Sequence, residues 1–351
     1  MRSAVFVVPG SIDTRTGGSI YDRRMVEGLR RLGWTVTVVE LDASFPRPTP
    51  GALAHASRAL AAIAAGETVV VDGLAFGAMP DLVEREAARL RLVALVHLPL
   101  AADVGLDAAE AARLRASERR ALAAAAMVVV TGAATLSMLE GYGLPRDTVL
   151  VVEPGTDPAP VARGSSGPPA RLLSVATLNP GKGHDILLRA LASVPRDAWR
   201  LTCAGSLTRH PATAIRVQDA ARDLGLEHCV SFAGELGAAA LETCYDAADV
   251  FVLATLQETY GMAVAEALAH GLPVVSTTTG VIPTLVGRDA GLLVPPGDVG
   301  ALSEALSRVI ADAALRARLA LGARRVRETL PTWQHAAAAM AAALEGAGTH
   351  V

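Results

Sequence analysis

Two glutamates stand eight positions apart in the stretch Glu258-Thr-Tyr-Gly-Met-Ala-Val-Ala-Glu266. The apolar run 250–253 before them predicts a buried strand, and residues 262–270 predict a helix that stops at Gly271. At 1.5 Å per helical residue the two carboxylates lie roughly 10 Å apart, which is too far to share a proton. Carboxylates at that separation could hold opposite ends of one long polar ligand. A capping glutamate followed by a solvated surface glutamate would leave the same pattern.

The chain contains a single lysine and a single asparagine, and both lie in the segment Asn179-Pro-Gly-Lys182-Gly. The other 31 basic residues are arginines. A site open to solvent would accept arginine equally well, so the retained lysine predicts a need for a compact ammonium group. Because its Pro-Gly turn precedes a predicted helix, Lys182 could meet an anionic ligand. The alternative is an ordinary solvated loop lysine.

Two features of the first 100 residues could also contact a ligand. Gly17 and Gly18 end a long loop, where backbone N–H groups could approach an anion at the positive end of the next helix. A plain flexible turn would have the same composition. His97 closes the predicted strand 91–97, and ligands of open α/β sheets bind at the carboxyl ends of strands. A structural histidine is the alternative there.

The two-glutamate segment 258–266 and the Lys182 loop, together with 273–280 and 291–298, resemble the family 4 retaining glycosyltransferases of the GT-B fold. The signature of that family is two glutamates separated by seven residues, with Phe or Tyr and then Gly after the first, as in Tyr260-Gly261. The resemblance covers roughly residues 170–300. It implies an α/β fold with two Rossmann-like domains facing a cleft, and a C-terminal helix that crosses back to the N-terminal domain.

The resemblance also implies roles for individual residues. Glu258 would hold the hydroxyls of the donor sugar, and Glu266 would bind the ribose hydroxyls. Lys182 would face the diphosphate, and His97 would lie close to the transferred sugar. Glu258, Lys182 and His97 are therefore the candidate catalytic residues. The other candidate contacts to the nucleotide sugar are Gly17, Gly18, Thr177, Gly205, Leu236, Thr259, Tyr260, Gly261, Met262 and Glu266.

One position departs from the family pattern. Relatives commonly carry an arginine five residues before the lysine, as a second cation for the phosphates, and this chain has Thr177 there. No Asp-x-Asp metal motif is visible, so we expect metal-independent chemistry with no cofactor beyond the nucleotide sugar. The acceptor class implied is a glycan, a lipid-linked molecule or a small molecule. Lipid-linked acceptors leave peripheral membrane contact open.

Three other functions fit parts of this pattern. A non-hydrolysing nucleotide-sugar epimerase would use the same scaffold, and it would turn over without an acceptor. A relative that binds the nucleotide sugar but has lost catalysis is suggested by Thr177. A nicotinamide dehydrogenase is disfavoured, because no Gly-x-Gly-x-x-Gly follows the first predicted strand. The fold alone would not choose among them.

Composition sets limits on the class of protein. A length of 351 residues with 51% hydrophobic residues is typical of two domains with separate cores. The net charge of −3 argues against nucleic acid as a partner. Three cysteines without a Cys-x-x-Cys pair indicate reduced thiols and a cytoplasmic protein. No segment is typical of a signal peptide or a membrane span.

Predicted strands and helices alternate in two series, which indicates two parallel sheets covered on both faces. We expect an N-terminal acceptor domain at 1–157, a linker at 158–169, a donor domain at 170–330 and a crossover helix at 331–351. The predicted strands are 4–8, 35–40, 68–71, 91–97, 127–131, 149–152, 171–176, 199–204, 230–233, 250–253, 273–276 and 292–294.

Overall fold

The computed structural model describes residues 2–165 and 167–346. Its contacts divide the chain into two units. Unit 1 comprises Met1–Gly155 with Pro331–Val351, and unit 2 comprises Thr156–Leu330. The predicted linker at 158–169 thus belongs to unit 2, and its residue Ser166 lies outside the described residues. So do residues 347–351 of the predicted crossover helix.

Unit 1 is built on a six-stranded parallel sheet in the order β2-β1-β3-β4-β5-β6. Its strands are β1 Ser3–Pro9, β2 Thr35–Leu41, β3 Thr68–Asp72, β4 Arg91–Val96, β5 Met127–Val130 and β6 Val149–Val151. Its helices are α1 Gly17–Arg31, α2 Pro50–Ala61, α3 Gly73–Phe76, α4 Pro80–Glu86, α5 Ala108–Ala123, α6 Ala133–Met138 and α14 Trp333–Gly346.

Unit 2 repeats the architecture with six parallel strands in the order β12-β11-β10-β7-β8-β9. Its strands are β7 Ala170–Val175, β8 Trp199–Ala204, β9 Val230–Gly234, β10 Val250–Leu253, β11 Val274–Thr277 and β12 Gly291–Val294. Its helices are α7 His184–Leu191, α8 Pro211–Asp223, α9 Ala238–Ala247, α10 Met262–Ala269, α11 Ile282–Val286, α12 Val299–Ala311 and α13 Ala313–Val326. The predicted α/β class with two parallel sheets is confirmed.

The unbroken apolar strands follow from burial on both faces of each sheet. Successive side chains of a strand point to opposite faces. Leu172 of β7 therefore packs into one hydrophobic cluster of unit 2, and its neighbour Leu173 packs into the other. In β10, Val250 and Val252 join the first cluster while Phe251 joins the second. A strand with two buried faces needs no polar alternation, which is why these strands were visible in the sequence.

The C-terminal helix α14 packs against α1 of unit 1, as the predicted crossover required. Gly28 permits this approach, because a Cβ there would lie 2.4 Å from the Cβ of Ala337. The rings of Tyr21 and Trp333 also meet edge to face, with centroids 6.1 Å apart. Helices α1 and α14, which are far apart in sequence, thus pack together in unit 1.

Three short helices were not predicted, namely α3, α6 and α11. Each has four to six residues, which is too short to show a helical period in the sequence. Helix α2 ends at Ala61, because the chain turns through residues 63–66. Among the described residues, no helix combines the length and apolar character that a bilayer span requires.

The order of strands in each sheet reverses at one point. In unit 1 the chain moves outward from β1 to β2 and then continues with β3 on the other side of β1. In unit 2 it moves from β7 through β8 to β9 and then continues with β10 on the other side of β7. Ligands of open α/β sheets bind outside the carboxyl ends of the strands at such a reversal. The loops after β1, β3, β7 and β10 are therefore the places to look for a site.

Candidate functional site

Lys182 and Glu258 lie on the two loops that flank the reversal in unit 2. Lys182 follows β7 and Glu258 follows β10, and these strands are hydrogen-bonded neighbours. The Lys182 Nζ lies 2.6 Å from Glu258 Oε2, and their side chains are only 25% and 14% exposed. The structure thus brings together the two candidate catalytic residues of this unit as a partly buried ion pair.

The Lys182 loop is fixed to the start of the β10–α10 loop by backbone contacts. The amide of Leu256 donates to the carbonyl of Gly181 at 2.7 Å, and the Thr255 hydroxyl donates to the same carbonyl at 3.1 Å. Gly183 follows with a φ of +61°, and a Cβ there would lie 2.1 Å from the carbonyl oxygen of Ala254. Only glycine fits this position, so the backbone that follows Lys182 lies directly against Ala254 at the end of β10.

The Glu258 backbone is held from the opposite side by Gly280, in the loop after β11. A Cβ at Gly280 would lie 2.0 Å from the carbonyl oxygen of Glu258. The turn then continues into Gly261, whose φ of +91° lets α10 begin at Met262. The first turn of a helix presents backbone N–H groups without intrahelical partners. The start of α10 therefore lies beside Glu258, since a Cβ at Gly261 would be 3.6 Å from Glu258 Cγ, and the candidate contacts Tyr260 and Met262 flank Gly261 in sequence.

Glu266 lies on α10, half-buried, and its carboxylate is oriented by a tyrosine. The Tyr245 hydroxyl donates to Glu266 Oε2 at 3.0 Å. The ring of Tyr245 stacks on His270, with centroids 4.5 Å apart. Burial, and then the charge of Glu266, raise the pKa of Tyr245 well above its usual value. Tyr245 therefore keeps its proton and acts as a permanent donor to Glu266.

The segment that was predicted to be a linker is tied to this region. The Nδ1 of His270 lies 3.2 Å from the carbonyl of Pro160, and because a carbonyl only accepts, the ring nitrogen donates. The amide of Ala162 donates to the carbonyl of His270 at 2.9 Å, and that of Gly164 donates to the carbonyl of Asp246 at 2.9 Å. Residues 160–164 therefore pack as part of unit 2.

The remaining candidate contacts of unit 2 lie at the same edge of its sheet. Thr177 follows β7 and Gly205 follows β8, and a Cβ at Gly205 would lie 1.9 Å from the carbonyl oxygen of Ala176. Leu236 follows β9, and Thr259 lies between Glu258 and the start of α10. The carboxyl edge of the sheet thus carries every unit 2 residue that the sequence singled out, with Glu266 further along α10.

His97 belongs to unit 1, where it follows β4 and meets two buried aspartates. Its Nε2 lies 3.0 Å from Asp22 Oδ1 and 3.5 Å from Asp72 Oδ2. Asp22 and Asp72 are 2% and 5% exposed at the side chain, whereas His97 is 20% exposed. Gly18, predicted as a loop contact, lies against the same ring, because a Cβ there would be 3.1 Å from His97 Cδ2.

Mutual charges set the protonation of this cluster. Burial, and then the charge of Asp22, raise the pKa of Asp72 to about 7. Burial opposes a charge on His97, but the attraction of Asp22 and its hydrogen bond, with Asp72, outweigh it and raise the pKa of His97. The two buried carboxyl groups thus favour a proton on Asp72 and a proton on the His97 ring. The three ligand atoms lie within 4.8 Å of one another, so the cluster could also hold a metal ion.

As the pH rises, the Asp72→Asn variant is expected to become more stable relative to the wild type. The pKa of Asp72 is about 7 in the folded protein against 3.8 ordinarily, so the stability due to its proton is present at acid pH and is lost as the pH rises through 7. Asparagine has no proton to lose. The free energy of unfolding, measured in urea from about pH 4 to pH 8, should fall in the wild type relative to the variant as the pH rises. A difference that does not change with pH would contradict the assignment.

The sequence of residues 169–312 matches the protein family described as Glycosyl transferases group 1. A relative from Kineococcus radiotolerans, named D-inositol 3-phosphate glycosyltransferase, is 33% identical over 252 residues, which are 63% of this chain and 57% of the relative. The chain spans about half the length of the curated relatives it matches.

Two solved structures show the same fold over almost the whole chain. Sucrose-phosphate synthase from Thermosynechococcus elongatus has a TM-score of 0.82 at 21% identity, covering 97% of this chain and 98% of that one. The Anabaena protein HepE, solved in complex with UDP and glucose, has a TM-score of 0.77 at 17% identity, covering 98% and 99%. At these identities the likeness establishes the fold.

Several residues of the site were missed by sequence reasoning. Asp22 and Asp72 are far apart in sequence and stand in no motif, so only the fold shows that both face His97. Tyr245 is a single tyrosine on α9 with no spacing relation to Glu266. Gly280 was part of a segment that resembles the family, but its contact with Glu258 had no signal in the sequence.

Proposed function

We propose that this chain is a retaining glycosyltransferase that moves a sugar from a nucleotide-sugar donor to an acceptor hydroxyl without a metal ion. The observation that carries the proposal is the Lys182–Glu258 pair, held 2.6 Å apart beside the N-terminus of α10 at the sheet reversal. A cation and helical N–H groups suit a diphosphate, and a carboxylate suits sugar hydroxyls. The match of residues 169–312 to group 1 glycosyl transferases supports the same reading.

In the proposed reaction, the bond between the anomeric carbon and the diphosphate oxygen breaks, and a bond from the acceptor oxygen to that carbon forms on the same face. The acceptor proton passes to the departing diphosphate, so no side-chain nucleophile is required. Negative charge grows on the diphosphate as the bond breaks. Lys182 and the N–H groups at the start of α10 stabilise that charge, because they are already oriented before the reaction.

The two glutamates bind different parts of the donor. Glu258 accepts hydrogen bonds from the sugar hydroxyls, and Glu266 accepts them from the ribose. When a donor binds, its diphosphate competes with Glu258 for the ammonium of Lys182. In the free protein, the ion pair holds both side chains in position. In unit 1, His97 stays a predicted catalytic residue, with Asp22 holding its ring.

The similar proteins suggest where to look for donor and acceptor. HepE was solved with UDP and glucose, and the K. radiotolerans relative is named for D-inositol 3-phosphate. Thermal-shift measurements with UDP-, GDP-, ADP- and dTDP-sugars should identify the donor, since a ligand at 100 times its dissociation constant stabilises by about 2.7 kcal/mol. Turnover of that donor should then require an acceptor. Turnover without an acceptor would point instead to an epimerase, and binding without any turnover to a relative that has lost catalysis.

Glu266→Ala is expected to weaken binding of the free nucleotide by about 1–3 kcal/mol, because charge-assisted hydrogen bonds to the ribose are lost. Tyr245→Phe should cost less, about 1 kcal/mol, since it removes only the hydrogen bond that orients Glu266. Calorimetric titration measures both effects. Glu227→Ala makes the same chemical change on an exposed glutamate elsewhere in unit 2 and is the control. A dissociation constant unchanged in Glu266→Ala would remove the ribose role.

A further inference from the structure

A second concave site lies in unit 2, away from the Lys182–Glu258 pair. The pocket has a volume of about 270 Å³ and is bounded by α12, α13 and the loop between α11 and β12. Gly291 at the start of β12 forms part of its wall, so the pocket lies at the amino end of an edge strand. The candidate donor site lies at the carboxyl ends of the strands. The two sites therefore lie at opposite ends of the strands of the same parallel sheet.

Four arginines and one aspartate line this pocket, in a chain whose net charge is −3. Arg325 pairs with Asp289 at 3.3 Å. Within residues 2–165 and 167–346, the guanidinium groups of the other three arginines make no hydrogen bond or ion pair. These three are Arg288, Arg308 and Arg318.

A neighbouring arginine shows that this lack of partners is not a general property of the two helices. Arg316 of α13 donates to the carbonyls of Val309 and Ile310 at 2.8 and 2.6 Å, and so satisfies the C-terminal end of α12. Its charge has a structural use. Arg308 and Arg318 make no such contact within the described part of the chain, and both line the pocket.

The floor of the pocket is apolar and well ordered by packing. Leu315 and Leu319 of α13 are each 4% exposed and belong to the hydrophobic core of unit 2. Arg288, Arg308 and Arg318 are exposed where they line the pocket, so their guanidinium donors are accessible to a ligand. Several like charges around one concavity repel one another, and an anion that binds there relieves the repulsion.

We propose that this pocket binds a phosphate-bearing ligand, with Arg308 and Arg318 as its principal contacts. Paired guanidinium forks match the geometry of phosphate oxygens, which makes phosphate a better fit than a single carboxylate. The site is separate from the donor site and does not depend on the proposed transfer reaction. A soluble phosphorylated molecule and a phospholipid headgroup offer the same chemistry, and the experiment distinguishes them.

Titration calorimetry with inorganic pyrophosphate tests this in a Lys182→Ala background, which removes the cation of the donor site. Pyrophosphate should bind, and adding Arg308→Gln and Arg318→Gln should weaken it by roughly tenfold or more, as expected for two charge-assisted contacts. Arg216→Gln, on the exposed side of α8, is the matched control and should leave binding unchanged. Equal thermal midpoints of all variants would show that each is folded.

Sedimentation with vesicles forms the second arm of the test. One result identifies a lipid headgroup as the ligand. In that result, vesicles containing phosphatidylglycerol bind the protein through Arg308 and Arg318, whereas phosphatidylcholine vesicles and free pyrophosphate do not bind. Binding of free pyrophosphate that depends on the same arginines identifies a soluble ligand. The proposal is overturned if neither probe binds the Lys182→Ala protein, or if binding is equal with and without the two arginines. Neither result bears on the transferase proposal, which rests on Lys182 itself.

Discussion

Lys182→Ala is expected to lower kcat/KM for the donor by roughly 100-fold or more, about 3 kcal/mol of transition-state stabilisation, as for the loss of one preorganised donor. The ammonium is fixed 2.6 Å from Glu258 by a loop that Gly183 locks against Ala254. Thr177 stands where relatives commonly carry a second cation, so it cannot help Lys182 to stabilise the negative charge on the diphosphate. Steady-state kinetics with the donor identified by thermal shift measures the effect.

Lys182→Arg should fail to restore activity. The Lys182 side chain is only 25% exposed, and the Lys182–Glu258 distance already is that of a short charge-assisted hydrogen bond. A longer, planar guanidinium would need space that this loop does not offer. Arg189→Ala is the control, because it removes a cation from the exposed side of the adjacent helix α7. Activity near the wild-type value in Lys182→Arg would show that the site does not require the compact ammonium group of lysine.

Gly280→Ala is expected to destabilise the folded protein by about 2–4 kcal/mol, the cost of a strained backbone combined with a steric clash. Its φ is +54°, and the added Cβ would lie 2.0 Å from the carbonyl oxygen of Glu258. Relief of the clash requires the Glu258 turn to move. Nucleotide-sugar affinity should therefore fall together with the thermal midpoint.

Gly33→Ala separates the two causes. Gly33 has a φ of +84° and no atom within 4 Å of the added Cβ, so this variant carries backbone strain without a clash. It should cost only about 1–2 kcal/mol and leave nucleotide affinity unchanged. Equal effects of the two substitutions on stability and on affinity would mean that Gly280 does not hold the Glu258 turn.

Much of the fold could be predicted because the strands of both sheets are buried on two faces. Strands such as β8 and β10 appear in the sequence as short apolar runs between turn residues, and their bounds match those predicted at 199–204 and 250–253. The alternation of strands with helices then indicated parallel sheets. Helices shorter than two turns, such as α3, gave no period and were missed.

The candidate site was predictable where its residues form a local motif. Lys182 and Glu258 were chosen for composition and spacing, and the structure places them in contact. Their direct ion pair was not predicted, because it depends on β7 and β10 being neighbours in the sheet. The aspartates that hold His97 come from α1 and β3, and no sequence pattern relates positions that only the fold brings together.

The most direct measurement is calorimetric titration of UDP, GDP, ADP and dTDP into the wild-type protein and into Lys182→Ala and Glu266→Ala. We expect at least one nucleotide to bind the wild type and to lose affinity in both variants, with Glu227→Ala unchanged. Failure of all four nucleotides to bind, or binding that is equal in wild type and Lys182→Ala, would contradict a nucleotide-sugar site at the Lys182–Glu258 pair.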